Sequence, residues 1–306
     1  MSNKIETWQL KFRQRLPLWL KEAYTAKRIR AWHRDCGGQT YVSFSGGKDS
    51  CVLLHQVRKI CPATPAVFVD TGLEFPEIRD FVDTIDNVVV VRPKMSFKQA
   101  IEKYGFPVVS KEVSQKISEA RTTRSEKLLH KRLYGDTNKY KSGKIPNKWQ
   151  FLIKAPFKIS HKCCHYLKIE PLRRYEKESR RRPFVGIMAT NSHARKQRYL
   201  KHGCNSFLAK KKQSIPMGFW VEADIWGYIK KHKVPYSGIY DLGYNNTGCM
   251  FCLFGVHRES FPNKFEMMHK THPKQWDYCI NKLKCGEVLS YIGVNFDRKA
   301  GLLWQE

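Results

Sequence analysis

Apolar and polar positions along the chain fall into blocks that predict helices and strands in turn. Residues 1 to about 35 carry Trp8, Leu10, Leu16, Leu18, Trp19, Leu20 and Ala23 among many lysines and arginines. That spacing predicts a basic amphipathic helix, broken or restarted at Pro17. Tyr41–Phe44 reads as a strand, Cys51–Ile60 as an apolar helix and Ala66–Asp70 as a second strand. Pro76–Ile85 follows as a second helix and Val88–Val91 as a third strand. Strands alternating with helices predict an α/β fold, with a doubly wound, mostly parallel sheet covered on both faces. Further on, Lys111–Leu133 is polar and helix-favouring, and Gly135–Lys148 reads as a mobile basic loop. Cys163–Arg182 is expected to be helical, Pro183–Ile187 a buried strand, and Gln197–Ser214 a second basic, loop-like stretch. Glu222–His232 has the acidic first turn and basic last turn of a capped helix, and the last forty residues read as helical. The pattern divides the chain into a basic helical segment over 1–36, an α/β domain over 37–256 and a helical extension packed on it over 257–306.

Charge changes the picture most. The 306 residues include 56 Lys and Arg against 27 Asp and Glu, a net charge of +29. Between Lys111 and Ile215 stand 28 basic and 7 acidic residues, so most of the excess lies there. A solvated basic face ordinarily carries comparable acid, whereas an unbalanced block points to a polyanion, DNA or RNA. Lys139, Lys141, Lys144, Lys148, Arg198, Lys201, Lys210, Lys211 and Lys212 are expected to hold the backbone of such a strand. Tyr140, Trp149 and Tyr199, beside these charges, are expected to stack exposed bases. An apolar fraction of 42% can build a core. No apolar run approaches the length of a membrane span, and no apolar signal core follows Met1, so a cytoplasmic protein without a membrane partner is expected. Ten cysteines in such a chain argue for metal or redox chemistry rather than a disulfide framework.

The sharpest motif is Ser45-Gly46-Gly47-Lys48-Asp49-Ser50, between the first strand and its helix. Two glycines let the backbone turn tightly and approach a ligand, and the helix N-terminus offers unpaired N–H groups and a positive dipole end. Ser45 and Ser50 add hydroxyls and Lys48 a point charge. Asp49 would repel phosphate unless it holds Mg²⁺ or caps the helix. The Walker spacing differs, with four residues between Gly and Gly-Lys-Ser/Thr. The loop resembles that of the PP-loop ATP pyrophosphatases, which cleave ATP between its α- and β-phosphates and adenylylate a substrate. Asp70-Thr71-Gly72-Leu73-Glu74-Phe75-Pro76-Glu77 resembles the matching segment of the phosphoadenosine phosphosulfate (PAPS) reductase-like branch. The resemblance implies an adenine-nucleotide α-hydrolase-like fold. It also implies nucleotide contacts from Ser45, Gly46, Gly47, Lys48, Asp49, Ser50, Asp70, Thr71 and Gly72, with Lys48, Asp49 and Asp70 catalytic.

Two close cysteine pairs stand out, Cys163-Cys164 and Cys249-Met250-Phe251-Cys252. Four thiolates in two pairs can enclose tetrahedral Zn²⁺ or an iron–sulfur cluster. Adjacent cysteines do not readily point at one small Zn²⁺, and cubane irons lie farther apart. The segments Cys163–Leu172, Ile215–Met217, Glu222–Ile229, Val234–Tyr236, Tyr240–Tyr244 and Thr247–Cys252 resemble the same branch in order. Its adenylyl-sulfate (APS) reductases hold a 4Fe–4S cluster on a double Cys and a distant Cys-x-x-Cys. The resemblance therefore implies Cys163, Cys164, Cys249 and Cys252 as ligands, with zinc as the less favoured metal. Cys51 and Cys61 read as packing, Cys204 lies in a basic loop and Cys279 on an amphipathic helix. Cys285 resembles the reductases' C-terminal nucleophile only weakly and reads better as a buried helix-end thiol.

Two departures separate the chain from a simple sulfonucleotide reductase. Its phosphate loop is complete, and the family's Gly-x-Arg-x-x-Glu-Ser-x-x-Arg is here Gly186–Arg195, with Met188 and Asn191 in place of Arg and Glu. Gly186, Ser192 and Arg195 match and are expected to contact nucleotide. The combination resembles PP-loop enzymes that thiolate nucleic acids, including those of DNA phosphorothioation. The expected activity is ATP- and Mg²⁺-dependent adenylylation of a substrate for sulfur transfer on nucleic acid, with a sulfur donor such as a cysteine desulfurase. Two alternatives stand beside it: an APS or PAPS reductase using thioredoxin, and a nucleotide-gated nucleic-acid-binding protein without turnover.

Overall fold

The computed structural model of the chain describes residues 4–136, 143–209 and 212–297. In chain order the elements run α1 (Thr7–Arg15), α2 (Leu18–Asp35), β1 (Thr40–Phe44), α3 (Lys48–Ile60), β2 (Ala66–Val69), α4 (Pro76–Asp83) and β3 (Val88–Val91). Then come α5 (Phe97–Tyr104), α6 (Lys111–Thr122), α7 (Glu126–Tyr134), α8 (Glu170–Ser179), β4 (Arg182–Val185), α9 (His193–His202) and α10 (Glu222–His232). The C-terminal helices are α11 (Lys264–Thr271), α12 (Pro273–Asp277) and α13 (Cys285–Tyr291). They divide between two compact units. One takes residues up to Asp70, Glu74–Arg92 and Pro171–Thr247; the other takes Thr71–Leu73, Pro93–Glu170 and the chain from Gly248 onward.

The first unit is built on a four-stranded parallel sheet in the order β3-β2-β1-β4. Val42 pairs with Ala66 on one side and Phe184 on the other, and Val67 pairs with Val89. From β1 the chain winds outward through β2 to β3, then crosses back to place β4 on the opposite side of β1. The strand order reverses between β1 and β4, the place where sheets of this kind take ligands at their carboxyl ends. Tyr41, Val42, Val67 and Phe184 are buried in the sheet, and Val52, Leu53 and Val57 of α3 cover it. The edge strand β3 is less covered, with Val89 and Val90 exposed.

The expected break at Pro17 separates α1 from α2, because proline lacks the N–H that would continue the first helix. Leu10, Ile29 and Trp32 point inward from this pair. So does Lys21, only 2% exposed, whose Nζ meets Asp224 Oδ2 at 2.6 Å and the Gln14 carbonyl at 2.8 Å. Asp224 also accepts the Val221 N–H at 2.8 Å, and Trp220 Nε1 donates to Thr25 Oγ1 at 3.0 Å. These buried polar contacts fix the start of α10 against α2. The stretch expected as a loop over Gln197–Ser214 is helical as far as His202, because Ser192 caps α9 by accepting the Arg195 N–H at 3.3 Å. Only the part after Gly203 leaves the helix.

The second unit is mostly helical. Phe97, Ile101, Val113 and Ile117 supply a core with Leu152, Leu167, Phe251, Leu253, Phe265, Met268 and Leu289. The expected helix over Lys111–Leu133 is two helices, α6 and α7, the second restarted by Ser125 accepting the Leu128 N–H. Short parallel bridges join Phe106 to Ile159 and Val109 to Phe254. Gly105, at φ +111°, passes so close to Lys158 that a Cβ would lie 2.4 Å from its carbonyl carbon. The expected basic loop Gly135–Lys148 lies partly outside the described residues. Among the described residues no helix is long and apolar enough to cross a membrane.

Candidate functional site

The six-residue loop turns from β1 into α3 through Gly46, whose φ of +70° lies in the left-handed region that glycine tolerates. A Cβ there would come within 2.8 Å of Ile78 Cγ2. Inside the turn Ser50 Oγ donates to the Gly47 carbonyl at 2.8 Å and accepts the Ser45 N–H at 3.2 Å. Ser45 Oγ and Ser50 Oγ lie 3.2 Å apart. Gly47 is the N-cap of α3, and its carbonyl accepts the Ser50 and Cys51 N–H groups at 2.9 and 3.1 Å.

Lys48 is buried, not on the open turn its motif suggests. Its Nζ donates to the Asn245 carbonyl at 3.0 Å, lies 3.2 Å from Glu222 Oε1, and sits over the rings of Tyr240 and Trp226 at 5.0 and 5.7 Å. Its backbone N–H donates to Tyr240 Oη at 2.8 Å. Thr247 Oγ1 lies 3.4 Å from Tyr240 Oη and would stand 2.5 Å from a Cβ on Gly47. The segment from Tyr240 to Thr247 therefore covers the loop, with its own oxygens on groups that an anion would use. Burial pushes the Asp49 carboxyl above its usual range; Lys48 opposes that shift, Glu222 adds to it and Arg195 opposes it. Asp49 does not cap the helix, and its buried Oδ1 has no hydrogen-bond partner among the described residues.

Gly186, just after β4, faces the same turn: a Cβ on it would meet the Asp49 carbonyl oxygen at 3.1 Å and Ser50 Cα at 3.2 Å. Arg195 reaches the Asp49 charge from α9, where desolvation lowers its pKa and Asp49 partly restores it. Ser192 serves as the cap of α9. Asp70, at the end of β2, is bridged by Arg79 at 3.0 Å and Arg92 at 3.1 Å. Thr71 and Gly72 belong to the second unit, where Thr71 Oγ1 accepts the Leu73 N–H at 3.2 Å. The sequence reading did not pick out Tyr240, Thr247, Glu222, Trp226 or Asn245 as site residues. The signal available was the placement of Tyr240 and Thr247 within segments that already matched the family.

The second unit gathers the cysteines. Cys163 is buried, and its thiol is pushed well above the ordinary range by burial first and then by Cys164, Cys249 and Cys252; only Lys168 opposes this. The field at Cys163 thus includes the other three thiols, although eighty-odd residues separate the pairs. The Cys249–Cys252 turn is tied down by Met250 N–H to the Leu73 carbonyl at 2.9 Å and Cys252 N–H to the Cys249 carbonyl at 3.0 Å. Lys264 Nζ donates to the Cys252 carbonyl. Among the described residues no group of three or more His, Cys, Asp and Glu side chains is arranged to hold a metal ion. The donor set itself, four sulfurs and one flanking lysine, suits a soft metal centre. Cys51, Cys204, Cys279 and Cys285 are buried, and Cys279 and Cys285 hydrogen-bond to each other.

Two of the expected base-stacking residues are not available for it. Trp149 is buried against His257, with ring centres 5.0 Å apart, and Tyr199 is fully buried, accepting from Arg13 Nη1 at 3.0 Å. Their aromatic surface goes into the cores of the two units. Tyr140, Lys139, Lys141, Lys210 and Lys211 lie outside the described residues. Lys148, Lys201 and Lys212 are exposed, whereas Lys144 and Arg198 are half-buried.

A profile of the phosphoadenosine phosphosulfate reductase domain matches residues 39–131 and 112–253, from β1 through the second cysteine pair. The chain belongs to this family. Two uncharacterized proteins of Methanocaldococcus jannaschii are similar to it. One is 26% identical over 272 residues, covering 86% of this chain and 45% of the relative; the other is 24% identical over 289 residues, covering 92% and 56%. The chain thus spans about half the length of these archaeal relatives. An adenosine 5′-phosphosulfate reductase of Staphylococcus haemolyticus is 25% identical over 239 residues, covering 74% of this chain and 76% of its own. Among solved structures, the phosphoadenylyl-sulfate reductase of Candida auris in complex with phosphate matches with a TM-score of 0.43 and 18% identity, over 81% of this chain and 98% of that one.

Proposed function

We propose that this PAPS reductase-family chain is an ATP pyrophosphatase that adenylylates a substrate for sulfur transfer on nucleic acid. The observation that carries the reading is the complete Ser45–Ser50 loop at the sheet's switch point, with a buried, unpartnered Asp49 oxygen beside Lys48. The first N–H groups of α3 and the hydroxyls of Ser45 and Ser50 would take the β- and γ-phosphates. Tyr240 Oη would leave the Lys48 N–H to the incoming anion, and Lys48 Nζ would exchange Glu222 for phosphate oxygen. Asp49 would hold Mg²⁺, which would supply positive charge to the leaving pyrophosphate. Arg195, facing Asp49, is placed to add charge on the same side. A substrate oxygen then attacks the α-phosphorus, the bond to the β-phosphate bridging oxygen breaks, and pyrophosphate departs. Adenylylation turns a poor oxygen leaving group into AMP, which sulfur can displace.

An iron–sulfur cluster on Cys163, Cys164, Cys249 and Cys252 supplies sulfur-bound, electron-carrying metal when it is bound. The chain's own contribution there would be four sulfur donors, whose protons must leave as the metal binds. The strand that would be modified is favoured by the basic excess between Lys111 and Ile215.

The test is product analysis with ATP and Mg²⁺, with and without single-stranded DNA or RNA. AMP and pyrophosphate are the expected products; ADP and phosphate sink the α–β cleavage. A second reading, sulfonucleotide reduction, is favoured by the similarity to the Staphylococcus haemolyticus reductase over most of both chains. It takes precedence if APS or PAPS with reduced thioredoxin yields sulfite.

A further inference from the structure

A cavity of about 460 Å³ opens in the first unit, lined by residues of α1, α2, the end of α9 and the loop after it. It shares no residue with the phosphate loop. Arg13, Arg28, Lys201 and His202 line it, and no acidic residue does. Its loop is built rather than incidental. Asn205 and Ser214 form an antiparallel bridge, Ser206 N–H donates to the Gln213 carbonyl at 3.0 Å, and Asn205 Nδ2 donates to the Arg28 carbonyl at 3.0 Å. The hydroxyl of Ser206, a residue 3% exposed on the cavity wall, has no partner among the described residues. A buried hydroxyl with nothing to bond is costly and marks a place where a ligand can supply the partner.

Burial raises the Cys204 thiol on this wall, and Arg28, the Tyr199 hydroxyl and Arg13 oppose that shift. Two arginines and a free hydroxyl match the oxygens of a phosphate. The volume exceeds what phosphate alone needs and falls in the roughly 300–1,000 Å³ range of small-molecule sites. Ile5, Phe207, Leu208 and Ala209 add apolar wall, with the Phe207 ring set 5.4 Å from that of buried Trp32. Leu208 is 95% exposed at this wall, an apolar side chain left for a ring to cover.

We propose that this cavity seats a phosphate group carried on a nucleotide, at a second site independent of the phosphate loop. The nucleotide has two possible sources, a residue of a single strand or a free mononucleotide. Binding is measured in a Lys48→Ala background by anisotropy of a labelled 12-nucleotide single strand, with AMP and inorganic phosphate as competitors. Keeping the loop disabled separates this site's failure from failure of the ATP reading. Arg28→Ala and Lys201→Glu are expected to weaken the strand about tenfold or more, as for loss of a charge-assisted contact. Ser206→Ala, which removes only the unpartnered hydroxyl and leaves packing intact, is expected to weaken it a few-fold with unchanged thermal unfolding. Competition by AMP assigns the site to a free nucleotide; strand binding indifferent to AMP assigns it to nucleic acid. Strand and AMP binding unaltered by all three substitutions overturns the proposal.

Discussion

The two units solve opposite electrostatic problems. In the first, the phosphate loop is a positive place already provided with partners: Tyr240 Oη on the Lys48 N–H, Glu222 and the Asn245 carbonyl on its Nζ. In the second, burial and then Cys164, Cys249 and Cys252 oppose ionisation of Cys163, while Lys168 favours it. On the proposed reading, the loop would exchange these internal partners for a phosphate. On the same reading, a cation at the cysteine site would have to displace thiol protons that burial holds in place. The difference, so read, teaches that a ligand in one unit would replace internal partners, whereas in the other it would displace protons.

The comparison breaks first at the loop. Lys48→Ala or Asp49→Ala is expected to lower AMP and pyrophosphate formation by roughly a thousandfold or more, as for loss of a charge aimed at the transition state. Both variants should keep the iron content of the wild type, since those residues lie in the other unit. The converse test is Cys163→Ser. Anaerobically isolated wild-type protein is expected to carry about four irons per chain, and the variant to lose most of them. Cys51→Ser, in the first unit's core, should not. Stoichiometric zinc without acid-labile sulfide would refute the cluster.

Stability provides smaller, sharper tests. Lys21→Met leaves Asp224 buried without its cation and is expected to cost about 3–5 kcal/mol in denaturant unfolding. That loss would show how far the first unit depends on the α2–α10 ion pair. Tyr240→Phe removes the oxygen that accepts the Lys48 N–H and should cost about 1 kcal/mol. No loss at all would mean that the covering segment does not hold the loop, weakening the replacement picture.

The smallest effect concerns pH in the second unit. Burial lowers the His257 pKa, with Arg258 and Lys148 adding to it, and both ring nitrogens lack partners among the described residues. The unfolded chain therefore takes up the proton first as pH falls. Stability from His257 is present above the ordinary histidine value and is lost as pH drops through it toward the lowered one. The unfolding midpoint should fall between neutral and mildly acidic pH, and His257→Phe should flatten that fall. Identical pH profiles would remove His257 from the account.

Much of the first unit was readable because its signals are local. Three strands, the Pro17 break and helix α10 follow from periodicity and caps within a few residues. The phosphate loop is six consecutive residues at a strand-to-helix turn. The helical end of α9 is not legible in Gln197–Ser214 because its charges resemble a loop's and its cap, Ser192, lies five residues before that stretch. Trp149 and Tyr199 were misjudged because basic neighbours in sequence say nothing about which face a ring presents; both rings turn inward, to His257 and Arg13.

By itself the sequence determined the chemistry available: a helix start with glycines, a lysine and hydroxyls for phosphate, two cysteine pairs for a soft metal, and a large basic excess. Local spacing suffices for those, since each is a property of neighbouring residues. Only the tertiary structure decided that Lys48 is buried under Tyr240, 192 positions away in the chain. It alone decided that Cys249 and Cys252 act on the Cys163 thiol and that Arg13, Arg28 and Ser206 line one cavity. Those are contacts between distant segments, set by which surfaces the sheet and helices bury together, and no pattern of neighbours encodes them.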